Sequence, residues 1–527
     1  MQRAMCRFAV VASIMLVVAQ VSADVTMSPM FNSDMVLQRE MKLPVWGTAA
    51  PGEAVTVTVA GQTAKTAADG HGNWMVHLEP LKAGGPHVMV VKGKNELKFE
   101  NVLAGDVWLC GGQSNMAMSV GSSMNAKEEA AAATFPQIRL FRVRNVTAPK
   151  PTKEVSGRWY VCSPKTVRGF SAAGYFFGRK LQKELDIPIG LIHSNWGGTP
   201  ARAWTSWKAL SADAEFKKAL IEPAEKALAD YEAKKQAYDV KRREWLAAVR
   251  KARAEKKPLP RRPRQPYGPD SPHYPASLYN GMIHPLVPYG IKGAIWYQGE
   301  ADAGRWLRYR RLLPAMITCW RDEWGQGDFP FYIVQLANFM TTSVKPTDSS
   351  WARLREAQMM TATTFPNCGI ACIIDTGEAR DIHPKNKQDV GKRLALAALA
   401  QTYGKKIVYS GPVYASMQVE GAKVRVKFKH VGSGLTTRTS GMPSASNMKA
   451  EDYKFTLGDG PLEGFAIAGA DKQFVWAKAT IEGDTVVLSA KGVDKPVAVR
   501  YAWANNPVCN LYNKEGLPAV PFRTDDW

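Results

Sequence analysis

The chain has 527 residues, 45% hydrophobic and 22% charged. That is enough apolar material for several packed cores, about three or four domains by length, and it excludes a disordered chain. Lysine and arginine (69) outnumber aspartate and glutamate (47) for a net charge of +22, a balance that suits an anionic partner, yet no nucleic-acid-binding module accompanies it. Residues 1–23 carry Arg3 and Arg7, an apolar run over residues 8–18 and then Val21-Ser22-Ala23. This pattern predicts a secretory signal peptide, too short to span a membrane, and hence an exported (secreted or periplasmic) protein without membrane insertion. Seven cysteines in so long a chain do not form a disulfide scaffold, although export permits bridges. Cys368-Gly369-Ile370-Ala371-Cys372 has no second cysteine pair or nearby histidines, so no metal site is expected.

Residues 24–103 read as β. Val55, Val57 and Val59 alternate with threonines, Trp74, Val76 and Leu78 alternate with Met75 and His77, and Pro51-Gly52, Asp69-Gly70 and Gly84-Gly85-Pro86 mark turns. A small antiparallel sandwich serving as scaffold is expected. From Ala104 the pattern becomes strand–helix alternation, the mark of a parallel sheet flanked by helices. Strands are expected over 107–110, 188–193, 290–296, 329–336 and 369–375, with helices over 171–185 and 389–403. This catalytic region runs in two parts, 104–207 and 275–404. A charged insert, 208–274, separates them. Its residues 224–256 repeat Leu228, Tyr231, Tyr238, Trp245 and Val249 at helical spacing. Eight basic residues then stand against one acidic residue between Arg250 and Arg264. A solvated helical hairpin with a loop accounts for the insert; a basic rim that steers acidic glycans is the alternative. Residues 405–527 return to β, with Trp503, Asn505, Asn506 and Asn510 placed to reach the catalytic region.

Polar residues gather at the ends of these strands. Val107-Trp108-Leu109-Cys110 stops at Gly111-Gly112, and Gln113-Ser114-Asn115-Met116 follows. A strand-to-helix turn of this kind exposes a nucleophilic serine, although Ser114 alone could equally cap a helix. Downstream lie Asp375-Thr376-Gly377 and Asp381-Ile382-His383-Pro384-Lys385-Asn386, which supply a base and its orienting carboxylate two residues apart. Open α/β sheets place ligands at the carboxyl ends of their strands.

The order Ser…Asp…His with this Asp-x-His spacing, joined to Gly-Gln-Ser-Asn-Met, is similar to the SGNH hydrolases. With the blocks His193-Ser194-Asn195-Trp196-Gly197-Gly198-Thr199 and Trp296-Tyr297-Gln298-Gly299-Glu300-Ala301-Asp302, and with Leu278 to Pro285 and Asn506 to Tyr512, the chain resembles the sialate O-acetylesterase family of carbohydrate esterases from about Met30 to its end. The resemblance implies an SGNH/flavodoxin-like parallel sheet flanked by helices, with N-terminal and C-terminal β-rich domains and a helical insert. It implies a serine esterase that uses no cofactor and removes acetyl from an O-acetylated sugar or glycan. An acetyl-xylan esterase, or a glycan-binding surface protein with an inactive site, is the competing reading. Ser114 is then the nucleophile, His383 the base and Asp381 its partner. The oxyanion donors are Ser114, Gly197 or Gly198, and the side chain of Gln298, which takes the place where SGNH enzymes carry asparagine. Trp196, Trp296 and Glu300 are the candidate substrate contacts, with Glu300 alternatively an acceptor that braces the loops. Arg202 stands where the family often has an acidic residue.

Overall fold

A computed structural model describes residues 24–438, 457–458 and 460–527; the expected signal peptide lies outside them. The strand Glu96–Gly112 (β1) joins two regions. Its first half pairs with Gly84–Lys92 antiparallel and with Val36–Gln38 parallel, completing the N-terminal β-layers. Its second half runs on without a break past residues 103 and 104 into the central sheet. The remaining central strands are Phe135–Arg142 (β2), Trp159–Cys162 (β3), Ile189–Asn195 (β4), Gly293–Tyr297 (β5), Phe331–Val334 (β6) and Cys368–Ala371 (β7). They lie in the order β3-β2-β4-β1-β5-β6-β7, all parallel except β3. The five strands β4-β1-β5-β6-β7 follow the 2-1-3-4-5 order of flavodoxin-like sheets, with β2 and β3 added outside. Every residue of β4 and β5 is buried, as both-face burial of a parallel sheet demands.

Helices Ser114–Ala117 (α1), Ala172–Leu185 (α2), Tyr231–Ala254 (α3), Trp306–Trp324 (α4), Ser350–Thr364 (α5) and Lys387–Gln401 (α6) surround it. Helix α2 begins where Ser171 accepts the Gly174 N–H at 3.1 Å. It lies over Trp108 and Cys110, with Phe177 edge-on to Trp108 at 5.0 Å, and packs on α6. The opposite face, that of Gly111 and Trp296, receives α4 through Trp320, whose ring stands 5.6 Å from Trp296.

In the insert, short helical segments over Trp207–Ala212, Ala214–Phe216 and Glu222–Leu228 precede the long helix α3, and the segment after α3 returns extended, because Pro258, Pro260, Pro263 and Pro266 forbid a helix there. Leu228, expected on the buried face, is exposed, since the helix breaks between Leu228 and Tyr231.

The N-terminal layers and the catalytic region share one continuous hydrophobic cluster. The C-terminal sheets have their own, built on Val424, Val426, Phe465 and Tyr501 and reached by Cys372 and Ile374 from the catalytic side. Asn505, Asn506 and Trp503 do reach across. Asn338 Nδ2 donates to Asn506 Oδ1 at 2.8 Å and Trp503 Nε1 to Asp348 Oδ1 at 2.9 Å. Among the described residues, Asn510 bonds within the C-terminal region, to Arg438, Pro461 and Glu463. All six cysteines from Cys110 to Cys509 are buried free thiols.

Candidate active site

The register of the sheet sets Gly112, Asn195 and Tyr297 level with one another, so the three turns that follow leave the carboxyl edge side by side. Gly112 takes a φ of 140°, and a Cβ there would stand 2.2 Å from the Tyr297 carbonyl oxygen. Only glycine permits both. The chain then turns into α1 with Ser114 at its first position. Across the gap Gly197 packs on the nucleophile, where an added Cβ would lie 3.3 Å from Ser114 Cβ.

Ser114 Oγ and His383 Nε2 are 2.8 Å apart. On the other side of the ring His383 Nδ1 lies 3.3 Å from Asp381 Oδ1, the same oxygen that accepts the His383 backbone N–H at 2.9 Å. One carboxylate thus fixes both the loop and the ring, with Nδ1 protonated and Nε2 free to take a proton from serine. The His383 and Asp381 side chains are 41% and 47% exposed, so the pair opens to solvent on the side from which a substrate arrives.

Behind the triad lies a closed polar network. Asn115 Nδ2 donates to Glu300 Oε1 at 2.5 Å and to the Ile382 carbonyl at 2.9 Å. The fully buried Lys387 donates to Asn115 Oδ1 and to the Pro384 carbonyl, both at 2.7 Å. Burial pulls the Lys387 ammonium down to about 7, while Glu300 pulls it upward. Burial likewise raises the Glu300 carboxyl, against its bond from Asn115. The network ties the serine turn, the Glu300 loop and the Asp–His loop into one unit.

Three expectations are corrected. Gln298 is fully buried, and its amide donates to Thr199 O at 3.2 Å and Asp302 Oδ2 at 2.7 Å. With both protons spent there it has none for an oxyanion. Trp296 is fully buried, edge-on to Trp204 and Trp320, and is core. Glu300 keeps one oxygen on Asn115 and the other enclosed, the arrangement of the alternative reading in which it braces the loops. Trp196 alone of the expected aromatic contacts is partly exposed, lining an open cavity of about 680 Å³. Gly197 and Gly198 are exposed, and their N–H groups have no acceptor among the described residues. The Gly198 carbonyl lies 3.0 Å from His273 Nε2, and Arg202 Nε donates to the His273 carbonyl at 3.1 Å. Arg202 therefore anchors the insert. Asp375 is structural, clasped by Arg393 at 2.5 and 2.8 Å and by the Tyr512 hydroxyl at 3.0 Å; these partners hold its carboxyl below the usual range despite burial. Lys387 was not foreseen. The one signal for it is a charged residue at the start of a helix whose next turns are apolar.

Serine, histidine and aspartate in file at the carboxyl edge of a parallel sheet define a serine hydrolase of the α/β class. Residues 104–251 and 271–400 match the family model described as carbohydrate esterase, sialic acid-specific acetylesterase. The chain is 30% identical to the human sialate O-acetylesterase, with 93% of this chain and 91% of that protein covered. It is also 30% identical to the rat sialate O-acetylesterase, with 97% and 96% covered. In structure it is similar to XAC1771, a carbohydrate acetylesterase from Xanthomonas citri, with a TM-score of 0.78 and 37% identity over 95% of this chain and all of that one. The chain belongs to the sialic acid-specific acetylesterase family of carbohydrate esterases and is a carboxylic ester hydrolase. Residues 252–270, the end of α3 and its extended return, fall between the two matched stretches.

Proposed function

We propose that this esterase removes O-acetyl groups from sialic acids, and that it does so as an exported protein. The observation that carries the reading is the 2.8 Å contact between Ser114 Oγ and His383 Nε2, made between residues 269 positions apart, with Asp381 behind the ring. The names of the relatives supply the sugar, and the leader-like residues 1–23 supply the destination.

In the first half-reaction the Ser114 proton passes to His383 Nε2 as Oγ attacks the acetyl carbonyl carbon. The imidazolium that forms is stabilised by Asp381. Negative charge develops on the carbonyl oxygen, and the N–H groups of Ser114 and Gly197, adjacent across the turn, are the donors at hand. The tetrahedral species collapses, the sugar oxygen takes the proton from Nε2, and acetyl stays on Ser114. Water then attacks the acetyl-enzyme with His383 again as base, and acetate leaves. No step calls on Gln298.

Two measurements test this. Ser114→Ala and His383→Ala should each lower kcat by about 10⁴ or more, with the double variant little worse. Across nitrophenyl esters kcat/KM should fall steeply from acetyl to butyryl and vanish for long chains, with acetate released faster from O-acetylated sialic acids than from acetylated xylan or pectin. A preference for octanoyl esters, or near-normal hydrolysis by Ser114→Ala, overturns it.

A further inference from the structure

Residues 257–265 form an arm held on Trp245 at its middle and, at its far end, by Gln265 Nε2, which donates to the Asp270 carbonyl at 2.9 Å. Trp245 Nε1 donates to the Pro260 carbonyl at 2.9 Å, and the Arg262 guanidinium lies 5.8 Å from the centre of the Trp245 ring. Beyond the arm, Lys235 pairs with Asp270 at 2.5 Å, and His273 reaches the Gly198 carbonyl. The insert is thereby tied to the turn that packs on Ser114. The cavity of about 680 Å³ is lined by Trp196 together with Arg261, Arg262 and Arg264. Its one acid, Asp270, is held by Lys235. None of the three arginines has a carboxylate within ion-pair distance among the described residues. A second open cavity of about 1150 Å³ shares Arg264 and adds Arg202, Lys234 and Lys241.

Clustered like charges on a surface repel one another, and the usual remedy is a neighbouring carboxylate. Here none of the three has one among the described residues, and the cluster lines one cavity with the partly exposed Trp196, whose neighbour Gly197 packs on Ser114. A guanidinium matches a carboxylate bidentately, and an indole offers a flat face to a sugar ring. We propose that Arg261, Arg262 and Arg264, with Trp196, form a subsite for the carboxylate of an acidic glycan whose acetyl group lies at Ser114. The subsite rests on the proposed carbohydrate substrate. It belongs to an arm that lies outside the stretches shared with the family model.

The carboxylate has two sources, the acetylated sugar itself or a neighbouring acidic sugar in a chain. The test is R261Q/R264Q, which leaves Arg262 on its tryptophan and changes only exposed side chains. Three substrates are compared: an O-acetylated sialic acid monomer, an O-acetylated sialyl oligomer and a neutral acetylated xylo-oligosaccharide, with nitrophenyl acetate as control. The variant should raise KM for acidic substrates on the order of tenfold and flatten its salt dependence, with kcat within twofold. The neutral substrates should be untouched. A rise for monomer and oligomer alike assigns the sugar's own carboxylate; a rise for the oligomer alone assigns a neighbour. Equal effects on acidic and neutral substrates, or none on either, overturn the subsite. If the wild type releases no acetate from sialic acids, the substrate reading fails by itself. The subsite is then read by inhibition of nitrophenyl acetate hydrolysis by unacetylated sialyl oligomer, which should weaken about tenfold in R261Q/R264Q. Inhibition equal in both proteins, or absent in both, overturns it.

Discussion

Lys387 ties the turn that carries Ser114 to the loop that carries His383, through Asn115 and Pro384. Its folded value of about 7 lies below the 10.5 of an exposed lysine. The unfolded chain therefore holds more protons between about pH 7 and 10.5, and stability rises with pH over that window. Glu300, whose carboxyl is raised, contributes with the opposite sign at lower pH, where stability falls as pH rises through its elevated value. Lys387→Met removes the first contribution. Its unfolding free energy relative to wild type should fall by up to about 3 kcal/mol between pH 7 and 9.5 in urea titrations. A constant difference would show that Lys387 is not held as a depressed ammonium. Its kcat should fall as much as 10²-fold, since small misplacements of catalytic groups are costly. Ser114, Asp381 and His383 were legible in the sequence because their chemistry needs those residue types at those spacings. Trp296 was not, because an indole at a strand's end reads the same whether it faces a core or a cavity.

The decisive element is the turn from β1 into α1. A methyl group at Gly112 would collide with the Tyr297 backbone and strain a φ of 140°. Neither the strand nor its neighbour can retreat from a fully buried sheet. Gly112→Ala should cost several kcal/mol and lower activity together with the melting temperature. An alanine variant with wild-type stability would mean that β1 ends differently. Strands β4 to β7 were readable as short apolar runs near their observed bounds, but β2 was not read at all and β1 begins at Glu96, well before the apolar run at 107–110. The insert was read as a helical hairpin with a loop, and its prolines set where the helix ends: a residue before proline avoids the helical region, and proline has no N–H to donate.

Across the molecule, two hydrophobic clusters meet at Arg355. This fully buried guanidinium donates to the carbonyls of Leu336 and Ala337 on the catalytic side and of Ala504 and Asn505 on the C-terminal side, at 2.7 to 2.8 Å. Arg355→Met leaves the buried carbonyls of Leu336 and Ala504 without a donor among the described residues, while Ala337 keeps Trp351 Nε1 and Asn505 keeps the Phe339 N–H, a loss on the order of 2 kcal/mol or more. Because the C-terminal sheets have their own cluster, calorimetry should then resolve two transitions, the C-terminal one first. A single transition at the wild-type temperature would show that other contacts suffice to hold the interface. The N-terminal layers should melt with the catalytic region in either protein, since β1 and one cluster serve both.

Taken alone, the sequence was sufficient for a mixed α/β fold, for a carbohydrate esterase and for the three residues that the structure brings into contact, because hydrophobic period, turn residues and the Asp-x-His spacing are local properties of the chain. What it could not determine is which side chains share a cavity. Gln298 gives its amide protons to Thr199 and Asp302, Glu300 turns inward to Asn115, and Arg261 and Arg264 come to line one cavity with Trp196. Each of these pairings joins residues from different turns, and their distance depends on the register of the sheet and the path of the insert. Only the folded backbone sets those.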